Sequence, residues 1–174
     1  SAGSAVLARA GRHVAYNTAS IDVLPDIADA NNAFDVYVFD RVSQSAQLVS
    51  AAAGAPLQSA NGESSPRAIS ADGRFVLFQS AATNLVTGVV DANSQRDVFL
   101  HDTQSGATVL VSRALGNPAQ AANNRSDGHA ISADGRWIVF SSRATNIVAA
   151  TTDSNGGNDL FLFDADTGAI TLVT

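Results

Sequence analysis

The residues best suited to chemistry in this chain are side-chain oxygens. Asp29, Asn31 and Asp35 form a D-x-N-x-x-x-D pattern that returns as Asp91, Asn93 and Asp97 and again as Asp153, Asn155 and Asp159. Hard oxygen donors at alternate loop positions can wrap a calcium ion, with backbone carbonyls and water completing about six to eight ligands. Against calcium, the fifth position is Ala33, Gln95 or Gly157, so a further side-chain oxygen is on offer in one copy only. The spacing also falls short of an EF-hand loop. The competing reading is structural: Asp and Asn close Asx-turns on their own backbone. A second recurring column, Asp22, Asn84 and Asn146, fits the same structural role, holding a loop.

Other constellations are weaker. His13, His101 and His129 fall at different places in the repeating pattern described below, so no recurring metal site can use them. No G-x-S-x-G elbow accompanies the many serines, and no nucleophile–base pair is legible; the chain is expected not to be an enzyme. Arg67 and His129 occupy equivalent positions and are candidates to line a central channel, the alternative being simple solvation.

The elements that must position these residues follow from one number. "SADGRFVLF" at 70–78 and "SADGRWIVF" at 132–140 are 62 residues apart, and subtracting 62 again reaches Gly11 in "ARAGRHVAY". Asp40, Asp102 and Asp164 align at the same spacing, as do Leu48, Leu110 and Leu172, so three gapless copies span the chain. Each copy reads as four short strands rich in Val, Ile, Leu and Phe; in the second they are 67–70, 74–80, 97–102 and 107–112. Near-continuous apolar runs such as Phe75-Val76-Leu77-Phe78 require cover on both faces of a sheet. Four-stranded sheets stacked radially provide it, which predicts an all-β propeller of four-stranded antiparallel blades. Blade 1 is expected over 1–50, blade 2 over 63–112 and blade 3 over 125–174, with linkers at 51–62 and 113–124.

The turns refine the reading. Ala10 stands where the later copies have Asp, and alanine disfavours positive φ, so the first hairpin of each blade is expected to be a type I turn followed by a glycine bulge. That needs positive φ only at Gly11, Gly73 and Gly135. Gly106 and Gly168 are expected to do the same in the last hairpin, with Gln44 forced into the left-handed region in blade 1 at roughly 1–2 kcal/mol. Trp137 aligns with Phe75 and His13 and is therefore assigned to packing on or between blades rather than to a sugar platform.

The phrases "SADGR-[FW]-[VI]-[LV]-F-x-S", "D-[VL]-F-L-x-D-x-x-[ST]-G" and "L-V-[ST]" resemble the TolB-like, WD-repeat-like propeller repeat of bacterial periplasmic and secreted proteins. The resemblance covers the whole chain. It implies a periplasmic or extracellular protein and a role in protein binding, in substrate gating beside a peptidase, or outside the cell in an unassigned role. The repeat departs from ordinary blades, which run to roughly 40–45 residues, by extra length between strands two and three and between blades. Both extra segments should emerge on one face, the default binding surface for a protein or peptide.

Three blades do not close a ring, since propellers have about four to eight. The expectation is half of a six-bladed ring completed by a second copy, or an open fragment, with self-assembly into a polymer as the further alternative. The chain has no Met and no visible signal peptide, which fits a processed protein or an excised piece of a longer one. A net charge of −6 with ten dispersed arginines and no lysine argues against nucleic acid. Membrane insertion is not expected, because no apolar run approaches the roughly 20 residues of a helical span. Without cysteine there is no disulfide or thiol chemistry. Apart from the calcium under consideration, no cofactor is implied.

Overall fold

The structure is a computed structural model that describes residues 3–29, 31–149 and 157–174. The described residues contain no helix. Blade 1 is a sheet of β1 (Ala5–Leu7), β2 (His13–Thr18), β3 (Asp35–Asp40) and β4 (Ser45–Leu48), in that order. A hairpin of β5 (Ala51–Ala52) and β6 (Ala55–Ser59) follows. Blade 2 comprises β7 (Ser64–Ile69), β8 (Phe75–Ser80), β9 (Asp97–Asp102) and β10 (Thr108–Leu110), and is followed by the hairpin β11 (Arg113–Ala114) and β12 (Asn117–Ala121). Blade 3 comprises β13 (Ser126–Ile131), β14 (Trp137–Ser142), β15 (Asp159–Asp164) and β16 (Ile170–Leu172). All pairings within the blades are antiparallel.

Alternation along the strands sorts the side chains into two interblade cores. Ala15, Val36, Val38 and Val49 on the back of blade 1 meet Val76, Phe78, Phe99 and Leu110 on the front of blade 2. Leu77, Val98, Leu100 and Val111 on the back of blade 2 meet Ile138, Phe140, Phe161 and Phe163 on the front of blade 3. Blade 2 is thus apolar on both faces because both are covered, as its unbroken apolar runs require. Cross-strand aromatic pairs stack on each front face: Phe78 on Phe99 at 5.6 Å and Phe140 on Phe161 at 5.3 Å. In blade 1 the pair is Tyr16 and Tyr37 at 5.8 Å.

The hairpin geometry follows the expectation. Gly11, Gly73 and Gly135 have φ of 70°, 84° and 81°, and Gln44 is left-handed at 56°. In blade 2 the turn closes through Gly73 N–H to Ser70 O at 3.0 Å, while the Asp72 carboxylate accepts from Arg74 N–H at 3.0 Å.

Two differences from the sequence reading concern boundaries and linkers. The first strand of blade 2 begins at Ser64 rather than Arg67, because a bulge between Pro66 and Ala68 lets the strand continue past a proline. The linkers are not irregular: each folds into a hairpin, turning at Gly54 (φ 74°) or Gly116 (φ 68°). Two such short strands each, as few as two residues, leave no legible alternation in the sequence.

Candidate functional site

The long segments do emerge together. The inserted loop of blade 1 pairs in parallel with its linker hairpin at Ala28 and Gln58, and that of blade 2 does so at Val90 and Gln120. The Asp/Asn columns build this face. Asp29 accepts from the backbone N–H groups of Asn31 (3.0 Å) and Asn32 (2.9 Å), and Asp91 does the same for Asn93 (3.0 Å) and Ser94 (3.2 Å). Asn31 Oδ1 then accepts from Ala33 N–H, and Asn93 Oδ1 from Gln95 N–H, both at 2.5 Å. The Asn side-chain amides donate outward, to Ala60 O and Ala122 O at the end of each linker. These are Asx-turns that also pin the linker to the loop. A calcium ion would have to share Asn31 Oδ1 and Asn93 Oδ1 with the backbone N–H groups they already hold. Asp153 and Asn155 lie outside the described residues; Asp159 opens β15.

The last carboxylate of each pattern is buried. Asp35 and Asp97, each 2% exposed, accept from the hydroxyls of Ser50 (3.0 Å) and Ser112 (2.8 Å). Burial pushes Asp35 up to about 6 and Asp97 up to about 7. The other Asx column also has a structural duty. Asn84 Oδ1 and Asn146 Oδ1 accept from the N–H groups of Asn61 and Asn123 at 2.9 Å, tying each inserted loop to the preceding linker. Asp22 differs, accepting from the Ser20 hydroxyl.

Arg67 and His129 are both exposed, and each is the extra residue of a bulge in the first strand of its blade. Of those strands, β7 lies against both β1 and β13, so the bulges sit where the first strands of neighbouring blades meet. Bulges re-aim side chains. One contact was not foreseen: His129 Nε2 lies 2.8 Å from Ser141 Oγ. It is not extended into a triad, because Asp127, which pairs with Ser141 across the strands, gives its carboxylate to Arg125 at 3.0 and 2.8 Å.

A further recurring device was also missed. Arg12, Arg74 and Arg136 each grip the aspartate 28 residues on, Asp40, Asp102 and Asp164, through two hydrogen bonds of 2.6 to 3.0 Å. The guanidinium holds Asp40 and Asp102 well below the usual carboxylate range and Asp164 at about 2. The signal was present as an invariant Gly-Arg step before each second strand.

Grooves open at the outer rim between blades. One of about 680 Å³ is lined by Leu24, Ile27, Leu48, Leu57, Leu85 and His101; its counterpart between blades 2 and 3, about 420 Å³, includes Leu115, Pro118 and Ile147. The second is narrower where Arg113 reaches over the Phe163 ring, 5.2 Å away, a position held by Ala51 in the first.

No family model matches the chain, and no curated protein matches it. Solved structures do. TolB from Acinetobacter baumannii is 14% identical with a TM-score of 0.50, covering 99% of this chain and 32% of its own. A TolB candidate from Agrobacterium tumefaciens is 17% identical with a TM-score of 0.54, covering 98% and 48%. The fold is a TolB-like β-propeller. The β-propeller domain of the Trilobed protease from Pyrococcus furiosus, described as having an open velcro topology, is 13% identical with a TM-score of 0.50, covering 98% and 42%. The three blades thus span less than half the length of these propeller chains.

Proposed function

We propose that the chain is a non-catalytic β-propeller module of an exported bacterial protein, periplasmic or extracellular, that binds a protein or peptide on its loop face and completes its ring by self-association. The observation that carries the binding role is the apolar character of that face. Ile21, Leu57, Val90 and Leu115 are 57–70% exposed there, and Leu57 and Leu115 line the interblade grooves. Exposed apolar residues gathered beside grooves of this size are the chemistry of a docking surface. Export rests on the resemblance to TolB alone.

Self-association is supported by one column of side chains. Ile69 and Ile131 pack into the two interblade cores, whereas Leu7, their equivalent in blade 1, is 64% exposed. Calcium remains subordinate to the Asx-turn role. A second reading, the substrate-gating propeller of a peptidase, is favoured by the likeness to the protease propeller domain.

Selection of displayed peptides on the immobilised chain tests the binding role. Apolar peptides are expected to enrich and to lose binding to Leu57→Asp and Leu115→Asp variants. Enrichment that survives both substitutions, or no enrichment, overturns it.

A further inference from the structure

Each blade carries a knob at the start of its second strand and a socket at its first turn. His13 of blade 1 lies against Gly73 of blade 2, and Phe75 of blade 2 lies against Gly135 of blade 3, so closely that a Cβ on either glycine would overlap the ring. Both glycines are buried. The turns touch as well: Ala71 N–H donates to Ala133 O at 3.0 Å. The third knob and the first socket are open. Trp137 is 40% exposed, with the Arg136 guanidinium 4.8 Å from its ring centre, and a Cβ on Gly11 would have no neighbour within 4 Å.

The two open faces match the internal interfaces, with a shift in chemistry. The back of blade 3 offers Trp137, Val139, Leu160 and Leu162 where the back of blade 2 has Phe75, Leu77, Val98 and Leu100. On the front of blade 1, half-buried Tyr16 and buried Tyr37 stand where the later blades have only Phe, and Leu7 of the first strand is exposed. Tyr and Trp carry apolar area with a polar edge, and with Arg they are the residues enriched at interfaces between separate chains. The internal blade junctions are built mainly from Val, Leu, Ile and Phe.

We infer that Trp137 of one chain seats on Gly11 of a second copy, repeating the internal knob-and-socket contact, and that two such seats close a pair of chains into a ring. The inference rests on the self-association reading above and names its contact. The occupant is a second copy because blade 1 leaves Leu7 and Gly11 uncovered at the positions where Ile69 and Gly73 of blade 2 receive the blade before them.

Trp137 is the only tryptophan of the chain, so its fluorescence reports the seat directly. With rising concentration the 174-residue chain is expected to form a discrete two-chain species by sedimentation velocity, while tryptophan emission shifts to shorter wavelength. Trp137→Ala and Gly11→Asn are each expected to weaken the pair at least about tenfold. Asn tolerates the left-handed backbone and meets nothing within one chain at position 11, so the monomer still folds; unchanged thermal melting at low concentration checks this. Gly106→Asn, at an equally open positive-φ turn, is the control and should pair normally. Pairing unaffected by either substitution overturns the seat and leaves self-association standing. A chain that stays monomeric overturns both, and growth beyond two chains overturns the closed pair.

Discussion

Phe75 of blade 2 lies against Gly135 of blade 3 with no room for a Cβ between them. Two requirements meet at that glycine, a left-handed backbone and a missing side chain. At Gly11 only the first applies. Gly135→Ala is therefore expected to destabilise the chain by about 3 kcal/mol, the strain of the backbone plus overpacking, and Gly11→Ala by about 1 kcal/mol. Urea denaturation of the two variants measures the difference; equal losses would contradict an interblade socket.

Burial of Asp97 gives stability an unusual pH dependence. An unfolded aspartate ionises near 3.8, whereas the folded carboxyl, packed on Ser112 with Asp91 nearby, holds its proton to about 7. Between those values the unfolded chain releases a proton that the folded chain keeps. Stability from this group is complete below about 4 and falls as pH rises to about 7, by up to about 1.4 kcal/mol per pH unit. Asp35 acts in the same sense up to about 6. The Arg-gripped Asp40, Asp102 and Asp164 act oppositely, losing their contribution as pH falls below 4. Melting temperature is expected to peak in mild acid, and Asp97→Asn to flatten the decline toward neutrality.

His101 is 3% exposed, and its Nε2 has no partner, while Nδ1 lies 2.9 Å from Thr108 Oγ1. Burial lowers its pKa to about 4, so the ring is neutral. The equivalent positions hold Phe39 and Phe163. His101→Phe removes an unsatisfied buried nitrogen at similar volume and is expected to stabilise by about 1 kcal/mol, read as a higher urea midpoint.

Because Asn31 and Asn93 commit their oxygens to backbone N–H groups, a chelator is expected to leave the melting temperature unchanged. A rise on adding calcium would mean that the loops bind the ion.

The ladder of repeats was legible because it is written in identities: the turn glycines, the apolar runs and the first and last residues of the strands recur at one spacing. The Asx-turns were legible as residue types, although two roles fitted them. What escaped the sequence was relational. The hairpins of the linkers are too short to show alternation. The Arg74–Asp102 grip links two columns that are separately visible but whose pairing depends on register. Trp137 was assigned from its column to packing on or between blades, and it lies 40% exposed on the back of blade 3. Nothing in the residue itself distinguishes those environments.

Within each blade the strands pair in chain order, and among the described residues no strand enters another blade's sheet. Every hydrogen-bond ladder is therefore complete once its own stretch of some fifty residues has been made available. Such local closure favours rapid, stepwise folding. A chain built this way can fold unit by unit, each sheet forming as soon as its own strands are available.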